Sequence, residues 1–118
     1  IQHNLSLISL GQGGLLDVLY HDNQIYISYS ENRGNWETST SVAKGLFDKK
    51  KIKFKNIFRA KPDEITTEFH FGSRLVINNE HLFASIGERG LGKLVQDPSN
   101  HLGSIIKIKL LTFFAANR

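Results

Sequence analysis

The sequence predicts an all-β fold. Three observations carry that prediction. Short runs rich in β-branched and aromatic residues recur along the chain, and clusters of turn-forming residues separate them. No segment sustains an apolar i, i+3, i+4, i+7 stripe over three turns, so an amphipathic helix has no candidate. Strands at this spacing fit a sandwich, a barrel or the blades of a propeller.

Leu15 to Tyr20 and Gln24 to Tyr29 flank His21-Asp22-Asn23, a turn whose residues tolerate left-handed backbone. Asn32-Arg33-Gly34-Asn35 is the next expected turn, followed by a strand from Ser39 to Phe47. Phe47-Asp48-Lys49 then turns the chain into Lys51 to Phe58, where Lys-Ile-Lys-Phe-Lys alternates with the period of a half-buried strand, Ile52 and Phe54 inward. Arg74 to Ile77, a turn at Asn78-Asn79-Glu80, and Leu82 to Ile86 repeat the plan of the first hairpin. That echo fits a propeller repeat interrupted by an insertion. Ser104 to Leu110 is the last strand, and the tail that follows carries adjacent phenylalanines, Phe113 and Phe114, with no turn signal.

Composition narrows the function classes. At 118 residues the chain holds one domain's worth of material. Its 40% hydrophobic and 22% charged residues are ordinary for a folded domain and exclude wholesale disorder. No apolar run approaches the roughly 20 residues of a membrane span, and the N-terminal residues lack the pattern of a signal peptide. Methionine is absent, position 1 included, so a processed product or a fragment is expected. Cysteine is absent too, which removes disulfides, thiolate catalysis and cysteine-based zinc sites.

The net charge of +4 is locally concentrated, with Lys49, Lys50, Lys51, Lys53 and Lys55 in one short stretch. A polyanion-binding patch is one reading. The other is a hairpin whose solvent face and edge are kept soluble by lysine, and the lack of interleaved arginine or aromatic residues on the exposed face favours it. A basic nucleic-acid-binding domain, resting on this cluster alone, ranks last, and no nucleic-acid partner is expected.

Residues able to do chemistry gather around His70-Phe71-Gly72-Ser73-Arg74 and Ile86-Gly87-Glu88-Arg89-Gly90, which lie at the ends of two neighbouring predicted strands. His70 is the candidate general base, because imidazole titrates near neutral pH and can accept a hydroxyl proton. Flanked by Phe69 and Phe71, it could equally be structural. Arg74 could anchor an anionic group or pair with Glu88. Glu88 could orient His70, bond a sugar hydroxyl, or be a loop charge. Gln12, in Gly11-Gln12-Gly13-Gly14, offers an amide for a polyol; a phosphate-cradling role is disfavoured by the missing lysine and helix. The five histidines (His3, His21, His70, His81 and His101) form no HxH or HxxxH pair, and no EF-hand pattern occurs. No self-contained metal site is expected.

Five segments in this order carry a family resemblance: Gly11 to Asp17, Ile25 to Ser30, His70 to Val76, Ile86 to Gly90, and Gln96-Asp97 with Ser99 to Gly103. Together they resemble the soluble, pyrroloquinoline-quinone (PQQ)-dependent aldose sugar dehydrogenases of the glucose/sorbosone dehydrogenase family. The resemblance implies a six-bladed β-propeller, of which residues 1–118 would be a fragment of about two blades in a single domain. It implies a periplasmic or secreted quinoprotein that oxidises the anomeric C1 hydroxyl of aldoses to lactones and passes electrons to an external acceptor.

Carried over by position, His70 is the catalytic base and Glu88 an acidic residue beside it, often aspartate in relatives. Gln12 lines the sugar and cofactor pocket, and Arg74 is a further binding candidate. Calcium ligands and the basic residues that grip the quinone would lie outside this chain, so the fragment alone is expected to be inactive and marginally stable. Two departures stand out. Phe69 occupies a position where many relatives have a second histidine, and residues 109–118 replace the Asn-x-Asp-Gly-Ser-type turn that normally follows, consistent with truncation or a shifted reading frame. The alternative function is a non-catalytic propeller that keeps the scaffold as a binding module.

Overall fold

The computed structural model describes residues 1–110. Its strands are β1 (Gln2–His3), β2 (Leu15–His21), β3 (Gln24–Gly34), β4 (Glu37–Asp48), β5 (Lys51–Arg59), β6 (Gly72–Asn78), β7 (His81–Ile86) and β8 (Ile105–Lys109). They form two sheets, one in the order β1-β5-β4-β3-β2 and one in the order β6-β7-β8. β2 to β5 run as an antiparallel meander, as do β6 to β8. β1, for which the sequence offered no strand signal, joins β5 in parallel with Gln2 opposite Lys51. The all-β prediction holds; a 3₁₀ turn at Gly92–Leu94 is the single helical element among the described residues. Most of the atypical tail, residues 111–118, lies outside the described residues.

The two hairpins that echo each other in sequence also turn alike. Asp22 (φ 50°) and Asn23 (φ 63°) join β2 to β3, and Asn79 (φ 50°) and Glu80 (φ 66°) join β6 to β7. Two left-handed residues in succession match the twist of the strands they connect. One expected turn moves. β3 continues through Gly34, and the chain reverses at Asn35 (φ 51°) and Trp36 (φ 63°) instead of at Asn32 to Asn35. A register shift between Asn32 and Gly34 leaves Arg33 as the extra residue, and the Asn32 side chain accepts the Gly34 N–H at 2.9 Å.

Apolar side chains divide between two clusters. Tyr26, Val42, Leu75, Leu82 and Ala84 pack where the sheets meet, with Ile57, Phe58, Ile106 and Ile108 around them. Ile27, Tyr29, Ala43, Ile52 and Phe54 form the second cluster on the opposite face of the first sheet, covered by Leu5 and Leu7. The inward placement of Ile52 and Phe54 predicted from alternation is therefore observed. With both faces covered, β3 and β4 are buried along most of their length. Each fully buried aliphatic side chain here contributes about 2 kcal/mol.

Polar contacts fix how the sheets meet. β6 is an edge strand, and open edges invite unwanted pairing. Three first-sheet side chains engage this border. Thr40 donates to the Phe71 carbonyl (3.1 Å), Ser28 donates to the Ser73 carbonyl (3.2 Å), and Asp17 accepts the Leu75 N–H (2.8 Å). These bonds pin the start of β6, and with it the loop immediately before it, against the first sheet.

Candidate active site

That preceding loop carries His70. Its backbone is left-handed (φ 59°), a conformation uncommon for a side chain with a Cβ and held only where the surroundings enforce it. The surroundings are explicit. The His70 N–H donates to Gln12 Oε1 at 2.9 Å, and the His70 carbonyl accepts the Arg89 N–H at 3.1 Å. The Gln12 N–H in turn donates to the Glu68 carbonyl at 2.7 Å. Two glycines permit this approach. A Cβ on Gly87 would lie 1.9 Å from the His70 carbonyl oxygen, and one on Gly11 would lie 2.4 Å from that of Glu68. The Gly87 N–H also donates to the Phe71 carbonyl at 2.9 Å.

The His70 imidazole is exposed and meets Glu88, with Nδ1 hydrogen-bonded to Oε1. The Gly90 N–H and the His70 ring hold the Glu88 carboxyl below the ordinary carboxylate range. Glu88 is thus an anion at neutral pH and can only accept, so Nδ1 carries the proton of this bond. In the neutral ring that leaves Nε2 with its lone pair, which is the tautomer a general base requires. Phe69 packs edge-on against the imidazole, ring centres 4.6 Å apart, and limits its rotation.

Of the four site residues expected from sequence, the fold brings together Gln12, His70 and Glu88 from three separate segments. Gln12 uses its side-chain carbonyl to anchor the His70 backbone, leaving its amide N–H₂ group. The pairing of Arg74 with Glu88 considered from sequence is corrected: the Glu88 carboxylate pairs with His70. Arg74 is exposed on β6, where its N–H donates to Ser85 Oγ at 2.9 Å, and its guanidinium forms no ion pair among the described residues.

Sequence reasoning missed Arg89. Read as part of a charged turn, it is 1% exposed and lies beneath the His70 loop. Its guanidinium donates to the Phe69 carbonyl (3.1 Å), the Thr38 carbonyl (2.9 Å), Thr38 Oγ1 (2.8 Å) and the Thr67 carbonyl. It also stacks over Phe71 at 3.8 Å from the ring centre. Burial and the Arg33 charge push its pKa down to about 10, so it remains a cation at neutral pH. No short-range signal distinguishes such an arginine from a solvated one, since its acceptors lie on residues 38, 67 and 69.

The Gln96 to Gly103 segment is also structural. Asp97 accepts from the Ser99 N–H and hydroxyl, Asn100 accepts the Leu102 N–H, and Leu102 is buried. His101 Nδ1 accepts the Lys61 N–H at 2.9 Å, and burial, with the Lys61 charge, lowers the His101 pKa. On the other side of the His70 loop lies a cavity of about 200 Å³, lined by Leu10, Trp36, Thr38, Thr66, Glu68 and Phe71 among others. Among the described residues no group of three or more His, Asp or Glu side chains is arranged to hold a metal. None of the described helices is long and apolar enough to cross a membrane.

The glucose/sorbosone dehydrogenase family model matches residues 2–115. The chain belongs to that family. A crystal structure of a glucose dehydrogenase superposes with a TM-score of 0.81 at 26% identity, covering 88% of this chain and 33% of its own. The soluble aldose sugar dehydrogenase of Escherichia coli, in its apo form, gives 0.78 at 31% identity, covering 88% and 32% respectively. No curated protein gives a significant match. The chain spans about a third of the length of these structures, and its two sheets are two neighbouring blades of the family's β-propeller.

Proposed function

We propose that this chain is the part of a PQQ-dependent aldose dehydrogenase that carries the catalytic base. The observation that supports this reading best is the His70–Glu88 pair: an exposed imidazole whose Nδ1–H is committed to a carboxylate, on a loop fixed from two sides. His70 Nε2 takes the proton of the sugar C1 hydroxyl as the C1–O bond becomes a carbonyl. Glu88 holds the ring in register and stabilises the imidazolium that forms. Gln12 anchors the loop and presents its amide to sugar or cofactor.

The donor set fits an anionic quinone. Arg74 offers a guanidinium unengaged by the described carboxylates, and Gln12 a free amide donor, so these two residues would contribute to holding it. The chemistry a bound PQQ supplies is acceptance of the hydride from C1. The calcium of this site would take its ligands from outside the chain, an external acceptor would remove the electrons, and the protein would work in the periplasm or outside the cell.

The test is dye-linked oxidation of glucose by the intact protein, with and without added PQQ and calcium. Lactone formation that requires both supports the reading. Sugar binding without oxidation under full reconstitution would instead establish the alternative, a non-catalytic binding module. Turnover by the 118-residue chain alone would contradict the expectation that it lacks most of the cofactor site.

A further inference from the structure

The β4–β5 hairpin carries a charge arrangement that the proposed chemistry does not use. Cross-strand register places Lys44 opposite Lys55, Leu46 opposite Lys53 and Asp48 opposite Lys51. Directly opposed residues of an antiparallel pair project from the same face. Four lysines therefore share one face around Leu46, and with Gln24 they line an open groove of about 550 Å³. Asp48 is the one carboxylate in its lining, and none of the four lysines forms an ion pair among the described residues. At the tip, Leu46 and Phe47 are 54% and 52% exposed, next to Lys49 and Lys50.

Edge protection does not account for this face. Lysines commonly guard a strand edge against pairing. Here β1 already pairs with Lys51 and Ile52, and the Asn4 side chain exchanges two hydrogen bonds with the Phe54 backbone (2.7 and 3.0 Å). The edge is closed where the lysines are densest. Solubility alone does not require like charges directly opposed either, since Lys44 against Lys55 is a destabilising cross-strand pair.

We propose that this hairpin docks the protein on an anionic phospholipid surface, with the lysines on headgroup phosphates and Leu46, on the same face, dipping between them. The composition selects this occupant. Lysine is depleted, and arginine enriched, at protein–protein interfaces. Single-stranded nucleic acid sites interleave aromatic stacking platforms with a basic groove, and this groove's single aromatic residue, Phe47, lies at the hairpin tip. Lysine clusters beside exposed apolar side chains are the pattern of interfacial lipid binding. The groove lies on β4 and β5, apart from His70 and Glu88, so the proposal stands independently of the catalytic reading.

The experiment is flotation of the intact protein with vesicles of phosphatidylcholine alone or with 30% phosphatidylglycerol. Binding is expected to the anionic vesicles only and to weaken with added salt. Lys53→Glu with Lys55→Glu should weaken it by at least about thirtyfold, since each lysine lost near the surface is worth about fivefold and the added carboxylates repel the headgroups. The charge-matched control, Lys93→Glu with Lys109→Glu, should change it much less, and Leu46→Ser should weaken it with no change in net charge. Failure to bind anionic vesicles, equal binding to both vesicle types, or equal loss in the control would overturn the proposal. So would capture by heparin or an acidic polypeptide without vesicle binding.

Discussion

In the proposed mechanism His70 and Glu88 act as a unit, the carboxylate fixing which ring nitrogen faces outward. In the intact protein, Glu88→Gln keeps the size of the side chain but removes the obligate acceptor, so the ring can present either nitrogen outward. We expect kcat to fall about a hundredfold with KM little changed, an effect of the size associated with general-base catalysis. Steady-state kinetics on glucose check this; an unchanged kcat would assign Glu88 to the loop alone. His101 supplies the pH dependence at this scale. Its folded-state pKa lies below the ordinary 6.5, so the unfolded chain binds the proton more readily. Stability is intact above that value and declines as the pH falls through 6.5 toward the lower folded-state pKa. His101→Asn retains an acceptor for the Lys61 N–H but cannot titrate. Melting curves between pH 7.5 and 5.5 should therefore decline less steeply in this variant than in wild type.

The elements matter because the site is assembled from pieces that are distant in sequence. Arg89 bridges the β4 residue Thr38 to the His70 loop, and its removal strands three carbonyls and a hydroxyl in a buried position. Arg89→Met should cost roughly 3 kcal/mol of stability. Arg89→Lys should recover little, because an ammonium cannot reproduce the planar fork of donors. Denaturant unfolding measures both variants, and equal stability of Arg89→Lys and wild type would contradict the bridge. Gly87→Ala places a methyl group against the His70 carbonyl, 1.9 Å from its oxygen, and should abolish turnover while also lowering stability.

Legibility from sequence divides along the same line. Strand alternation marked Ile52 and Phe54 as inward, and left-handed turn residues marked both echoing hairpins, because those signals are local. The grouping of Gln12, His70 and Glu88 was legible through ordered motifs. The parallel β1 and the buried Arg89 were not, since each depends on which distant segment arrives beside it.

At the scale of the whole molecule, the two blades share one of the two apolar clusters but leave apolar surface open. Val18 and Tyr20 on β2, Val76 on β6 and Ile105 on β8 are each more than half exposed. Repeat architectures rely on neighbours to bury such faces. The 118-residue chain by itself should therefore bind a hydrophobic dye and associate on concentration. Sedimentation as a stable monomer with a sharp melt would count against this.

In the proposed reaction His70, oriented by Glu88, removes the proton of the C1 hydroxyl while the hydride leaves from C1. The most direct measurement is the rate of sugar-driven quinone reduction in the intact, PQQ-loaded protein, compared between wild type and His70→Ala in a single turnover. The account predicts a loss of at least about a hundredfold with quinone binding retained. A rate within twofold of wild type would contradict it.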